Sequence, residues 1–405
     1  MKCLACWKAK WISMAGRLTL VTDVLSALPA YQLIALFHPK WLIKQLDKLR
    51  RSFLWAASES APGGRCLVNW TSVCMPKDIG GLGVPNLALQ SQALRLRWLW
   101  QQATDASKPW QGLPLPVDNI TLNIFRVSTT ITIHGGNSSF WHSNWHSSCT
   151  FAVQFPNLFK HSRQRQITVR NALSQNGWIA QIKANPPRQV LVEYIQLWCM
   201  VENLLFEFDN QPDKIIWRWT SDGVYTPASA YNFLFQCRSP NNHLADIWKI
   251  KATPKCKLHA WILLRNRALT ADNLAKRGWP HDDKCKLCNS ETETALHLFV
   301  ACSFSQAVWT QVIARSALPV IFTLPTQDSS LKCWWLSSLQ NLPNQIKLRW
   351  QSLALLTWWF LWKERNNRIF NNKARVSADL VDKIILELND WRSAGILKTS
   401  WPQRE

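Results

Sequence analysis

The sequence predicts a mainly α fold: helical segments, two short β-hairpins, and one small module stapled together by its own side chains. Three observations carry that reading. Apolar residues recur at helical spacing over long stretches, as with Trp41, Leu42, Leu46, Leu49, Phe53 and Leu54. β-prone runs are confined to two places, each around a turn signal: "ITIHGGNSSFW" (131–141) and "IIWRWTSDGVYT" (215–226). Finally, "CKLCNSETETALHLFVAC" (285–302) puts three cysteines and a histidine close together in the chain.

Taken in order, residues 1–104 form a helical region. It holds "VTDVLSALPAYQLIALF", then "PKWLIKQLDKLRRSFLW" opened by Pro39, a turn-rich break "KDIGGLGVPNL" (77–87), and a further periodic stretch "LALQSQALRLRWLWQQ". Residues 105–212 are a mixed connector holding the first hairpin, turning at Gly135-Gly136-Asn137. The segment 213–315 begins with the second hairpin, turning at Ser221-Asp222-Gly223. Thr226-Pro227 and Thr253-Pro254 each pair an N-cap with a proline at the first helical position, which suits helix entry because proline lacks the N–H that has no partner there. Thr270 and Gly278 bracket a short helix, and Ser303 with Gln306 has capping-box spacing after the cysteine cluster. Residues 316–345, rich in Pro, Ser and Gln, read as a linker; helices at about 346–371 and 376–395 follow.

Composition narrows the function classes. Lys plus Arg number 47 against 25 Asp plus Glu, a net charge of +22 over 405 residues, which favours polyanionic partners such as nucleic acid. No apolar run reaches membrane-spanning length; "LALLTWWFLW" (353–362) is core-helix length. The N-terminal stretch carries Lys8, Lys10 and Arg17 where a secretory signal would be apolar. Twelve cysteines scattered along such a chain read as reduced thiols. The 26 tryptophans are core fillers first, with stacking faces for bases as a second use.

The cluster has the spacing Cys285-x2-Cys288-x8-His297-x4-Cys302. A CxxC turn aims two thiolates at one centre, and a distal His/Cys pair can close a tetrahedron around zinc. Four soft and borderline ligands with no open position match one structural Zn2+ rather than a catalytic one. His297 and Cys302 stand about 140° apart on an ideal helix, so the backbone is expected to break between them, with Ser303 as a new N-cap. A second CxxC, "CLAC" (3–6), has no His or Cys pair nearby and reads as ordinary terminal helix.

With these motifs in view, the chain resembles the C-terminal part of a plant non-LTR (LINE-type) retrotransposon reverse transcriptase, including its zinc-binding domain. The resemblance covers nearly the whole chain. It runs through "WKAKWISMAGRLTLVTDVLSALPAYQL", where Ser13, Ala15, Gly16 and Arg17 match, and through "CLVNWTSVCMPKDIGGLGVPNL" and "GGNSSFWHSNW". "DGVYTPASAY", "IWKIKATPKCKLHAWILLRNRALTADNLAKRG" and "WFLWKERNNRIF" continue it in the family's order. Two departures stand out: Gly136 and Ser143 occupy positions where an aspartate is usual. The resemblance implies that 1–104 corresponds to the part after the polymerase palm, that the chain grips template RNA or target DNA, and that it works in the nucleus.

Polymerase chemistry needs paired aspartates holding two divalent metals. The only adjacent acids of that form are Asp282-Asp283, after Pro280-His281 and without the aromatic residue the motif needs. The expectation is therefore a fragment with no catalytic residues, lacking palm, endonuclease and ribonuclease H parts. From Trp248 to Lys286, ten Lys or Arg stand against three acids. Lys249, Lys251, Lys255, Lys257, Arg265, Arg267, Lys276, Arg277 and Lys286 are the candidate nucleic-acid contacts, with Trp248, Trp261 and Trp279 interleaved. Such binding to RNA or DNA would be largely sequence-independent, and neutralising about six phosphates implies a log–log salt slope near −5. Other classes stay open: polymerase activity only within a longer polyprotein, in association with the rest of a reverse transcriptase; a zinc module for protein contacts; or an element relic.

Overall fold

The structure, a computed structural model, describes residues 11–58, 65–105, 107–147, 149–202, 204, 207–209, 211–235, 242–320, 322–325 and 329–397. "CLAC" (3–6) lies outside them. The described chain is mainly helical, with one two-stranded antiparallel sheet, and it divides into two compact units. The first unit draws on 1–28, 41–86 and 239–405; the second on 29–40 and 87–238. No helix among the described residues is long and apolar enough to cross a membrane.

The second unit contains the sheet. The expected local hairpins do not form: the two β-prone runs pair with each other instead, Thr129–Thr132 against Lys214–Trp217, with Thr130 opposite Ile216. The physical reason lies in the turns. Around Gly135-Gly136, the carboxylate of Asp213 accepts hydrogen bonds from the backbone N–H groups of His134, Gly136 and Ser138 at 2.9, 2.9 and 2.7 Å. That side chain satisfies the turn, and the arm beyond it goes to "FW", where Phe140 and Trp141 are buried in a core with Trp178 and Leu197. The Ser221–Gly223 turn does close, with Trp217 N–H donating to Gly223 C=O at 2.8 Å, but the returning residues feed straight into the helix Pro227–Phe233. There Thr226 behaves as expected, its hydroxyl accepting from Ser229 N–H at 3.1 Å in a reciprocal capping box.

The first unit carries the larger core. Its helices include Lys40–Ala56, Pro254–Leu264, Ser303–Arg315, Asn344–Phe370 and Ser377–Ser393, the last two close to where periodicity puts them. Within "KLRR" (48–51), Lys48 is exposed but Arg50 is not. Arg50 is fully buried, donating to Ser26 Oγ at 2.6 Å and to Pro85 C=O at 2.9 Å and pairing with Asp47. The segment 316–345 holds a helix, Leu331–Ser338, because "LKCWWL" buries Leu331, Trp334 and Trp335. Tryptophan does much of the filling here: Trp261, Trp309, Trp350 and Trp358 are among the largest fully buried side chains of this unit.

Candidate metal centre

Cys285 and Cys288 sit on a tight turn whose backbone is tied at both ends. Cys285 N–H donates to Glu291 C=O at 2.8 Å, Asn289 N–H donates to Cys285 C=O at 2.7 Å, and Glu293 N–H donates to Asp283 C=O at 2.8 Å. Lys284 and Thr292 bridge across it, and Asn289 takes a left-handed conformation that asparagine tolerates better than most residues. The polar "NSETET" is thus the return arm of a miniature ribbon, not a slack loop.

The distal pair arrives by a different device. Thr294 opens the turn, accepting from His297 N–H through its hydroxyl at 3.1 Å. His297–Ala301 then runs as a π-helix, with Cys302 N–H donating to His297 C=O at 2.8 Å. An i→i+5 bond closes one wider turn after five residues, so Cys302 returns over His297 without a break between them. The break falls on Cys302 itself, whose ψ of 132° makes it the N-cap of Ser303–Arg315; Ser303 is the first helical residue, so the helix starts one place earlier than expected. The widened turn leaves carbonyls without helical partners, and the next helix supplies them. Ser305 Oγ donates to Leu298 C=O at 2.7 Å, Gln306 to Ala301 at 2.6 Å, and Trp309 Nε1 to Phe299 at 2.8 Å.

These two devices bring one atom from each of Cys285, Cys288, His297 and Cys302 within 4.8 Å of one another. Cys285 Sγ and Cys302 Sγ are 3.9 Å apart, and Cys288 Sγ and His297 Nε2 are 3.4 Å apart. Zinc–sulfur and zinc–nitrogen bonds of about 2.3 and 2.05 Å at a tetrahedral angle require edges of about 3.8 and 3.6 Å. The donor set therefore fits such an ion, and 3.9 Å is far too long for a disulfide. The Cys302 thiol beside it and then burial push Cys285 up to about 12. Burial works against charge on His297, but the thiols of Cys285 and Cys288 outweigh it and push the ring up to about 9. The other imidazole nitrogen, Nδ1, has Glu291 Oε2 at 3.0 Å, a carboxylate within reach but not aligned on the ring N–H.

A second layer, invisible in the ligand spacing, ties this turn to the long helix Asn344–Phe370. Arg365 grips Glu293 with two donors, Nη2 to Oε1 at 2.6 Å and Nε to Oε2 at 3.0 Å. The pair is buried, with side-chain exposures of 7% and 1%. Glu293 also accepts from Ala271 N–H at 3.0 Å. Arg368 donates to the carbonyls of Lys286 and Leu287, the two residues inside the CxxC turn, at 3.1 and 2.9 Å. Its Nε is held by the fully buried Glu364 at 3.0 Å. One signal could have found these residues: "KERNNR" interrupts an apolar helix with charges that have no reason to be buried unless they are paired.

Residues 225–309 match the family described as zinc-binding in reverse transcriptase, and the match contains all four donors. This is a retrotransposon-related chain carrying a reverse-transcriptase zinc-binding domain. It is also 24% identical over 423 aligned positions to a putative ribonuclease H protein of Arabidopsis thaliana. That alignment takes in 96% of this chain but 66% of the relative, so the chain spans about two thirds of that protein's length.

The expected nucleic-acid contacts of the zinc-binding domain fall into distinct settings. Lys249, Lys255 and Lys276 pair with Asp246, Glu387 and Asp272 at 3.0, 2.9 and 3.1 Å, and Lys286 pairs with Asp282. Lys257 donates to Trp248 C=O at 2.9 Å, and burial, then Lys251 and Lys77 beside it, hold its pKa below the usual lysine value. Arg265 donates to Gly80 C=O at 3.1 Å while its guanidinium lies 4.4 Å from the centre of the Trp261 ring. Arg277 lies over Trp279. Lys251 and Arg267 are exposed. Trp261 is fully buried and offers a base no stacking face, whereas Trp248 and Trp279 are half-buried. Asp282 and Asp283 are exposed; Asp282 pairs with Lys286, and Asp283 lies 3.1 Å from the imidazole of His281.

Proposed function

We propose that this chain is a zinc-stapled nucleic-acid-binding part of a non-LTR reverse transcriptase, without a catalytic centre of its own. The observation that carries the reading is the Cys285, Cys288, His297 and Cys302 cluster, with all four donor atoms within 4.8 Å of one another and the Cys285–Cys302 and Cys288–His297 edges close to those of a four-ligand structural ion. Bound there, zinc supplies a fixed cross-link between the CxxC turn and the π-turn, with no open position for a reacting group. The protein's own residues do the rest. The ribbon and the widened turn aim the donors, while Arg368 and Glu293 hold the ribbon against the long helix.

The binding part of the proposal is supported by charge. The surplus of cations beside the zinc ribbon includes like charges held close together, Lys77, Lys251 and Lys257 around Trp248 and Arg265 with Arg267. Surface pairs such as Lys249–Asp246 are weak and can exchange their carboxylate for a phosphate.

The test uses the full-length chain. Metal analysis is expected to give one zinc per chain, falling to none in Cys302→Ser. Single-stranded RNA and DNA are expected to bind with a steep, sequence-independent salt dependence. Primer-extension and RNA–DNA hybrid cleavage assays are expected to read blank; metal-dependent turnover in either would overturn the non-catalytic part. Binding no tighter than that of a control protein of equal charge would leave a zinc module for protein contacts instead.

A further inference from the structure

Beside the start of "ALTADNLAKRG", the first unit has a cleft of about 280 Å³ lined by Arg265, Arg267, Lys332, Asn69 and Ser72 over an aliphatic floor. Its polar lining is almost wholly donors. No carboxylate lines it. Asn69 has committed its carbonyl oxygen to Thr71, accepting from the backbone N–H at 2.9 Å and the hydroxyl at 2.6 Å, so its amide N–H2 is what remains to offer. Arg265 is pre-set, with one Nη on Gly80 C=O and the guanidinium plane packed near Trp261. Burial, and then Arg267 beside it, press on the charge of Arg265, a repulsion that a bound anion relieves. The volume is below the roughly 300–1,000 Å³ of small-molecule sites and suits a single tetrahedral anion.

We propose that this cleft is a phosphate site, seating one phosphodiester of a nucleic-acid backbone between Arg265, Arg267 and Lys332. The identity of the ligand rests on the nucleic-acid reading above, but the site reaches beyond the zinc-binding family match. Asn69 and Ser72 come from the N-terminal stretch and Lys332 from the helix Leu331–Ser338, so three separate stretches of chain converge on it. Five donors facing one small volume give a position, and not merely an attractive surface, to the backbone they hold.

The experiment titrates the zinc-loaded full chain with a single-stranded thymidine oligonucleotide across a salt series. Wild type is compared with Arg267→Gln/Lys332→Gln, and with a charge-matched control, Lys373→Gln/Lys383→Gln, whose lysines are exposed and lie away from the cleft. Inorganic phosphate is titrated in parallel and followed by its phosphorus resonance. The cleft variant is expected to bind the oligonucleotide roughly tenfold more weakly, with the log–log salt slope reduced by about 0.7 for the lost single-strand contact. It is also expected to lose the phosphate signal change, while the control keeps both. Equal loss in the two variants would overturn the site and leave diffuse electrostatics. Oligonucleotide binding unaffected by the cleft variant would overturn the site while the nucleic-acid reading stands. Phosphate bound at the cleft without oligonucleotide binding would keep the site and sink that reading; binding of neither would sink both.

Discussion

At Gly136 the backbone has φ of +70°, and a Cβ placed there would lie 2.6 Å from Phe208 Cε1 and 2.9 Å from Arg170 Cβ. The resemblance puts an aspartate at this position, and here no side chain fits it. The carboxylate reaches the turn from Asp213 instead. Gly136→Ala is therefore expected to destabilise the second unit by about 2 kcal/mol, from left-handed strain plus collision, read as a lowered unfolding midpoint. Asp213→Asn keeps one acceptor but turns an N–H2 toward backbone donors, and should cost about 2 kcal/mol as well. Burial opposes the charge on Asp213, but hydrogen bonds from Ser138, His134 and Gly136 outweigh it and hold the carboxyl below its ordinary range. A depressed folded value means that its stabilising contribution is complete above the unfolded value, about 3.9, and fades as pH falls below it. Unfolding followed from pH 5 to pH 2 should show a steeper acid loss in the wild type than in Asp213→Asn; parallel curves would refute this account.

Two elements, the π-turn and the long helix, decide whether the four donors meet. Were the π-turn to revert to an α-turn with every residue kept, Cys302 would stand about 140° around the helix from His297. Ser305→Ala with Gln306→Ala removes two of the donors that hold the widened turn's carbonyls, and is expected to weaken zinc binding with all four ligands still present, read by competition with a chromophoric chelator. On the long helix, Arg365→Ala would strand the buried Glu293 carboxylate, at a cost of about 3–5 kcal/mol. Arg365→Met with Glu293→Leu should recover much of that by removing both charges, and denaturant unfolding distinguishes the two outcomes. The donor identities were legible because ligand chemistry imposes a spacing that survives in one dimension. The π-turn was not, since nothing in "LHLFVA" distinguishes a widened turn from an α-turn; it is selected by Ser305, Gln306 and Trp309 reaching back for its carbonyls. Nor was the clasp, because pairing between 293 and 365 is a tertiary fact.

On the scale of the whole chain, helix periods and proline-marked entries were readable because they are local, and the helices Pro254–Leu264, Asn344–Phe370 and Ser377–Ser393 fall where the pattern puts them. Strand partners were not, since a turn signal fixes a bend but not which distant run fills the ladder. The same limit hid how much of the chain the zinc ribbon needs. The zinc-binding family match ends at residue 309, yet the core around Cys285 and Cys302 continues through Trp350, Leu353, Trp358, Leu380 and Ile384. Trp261, inside the match, donates to Gly80 C=O at 2.9 Å in the N-terminal stretch. A fragment spanning 225–315 would therefore expose the apolar faces that those residues cover, and would leave Glu293 and the Lys286 and Leu287 carbonyls without their arginines. It is expected to bind zinc more weakly and to unfold without a cooperative transition, while the full chain unfolds cooperatively and loses that cooperativity when zinc is chelated. Competition with a chromophoric chelator measures the affinities of both. Equal zinc affinity and a sharp transition in the fragment would show that the ribbon folds on its own ligands, and that the clasp follows the metal site rather than building it.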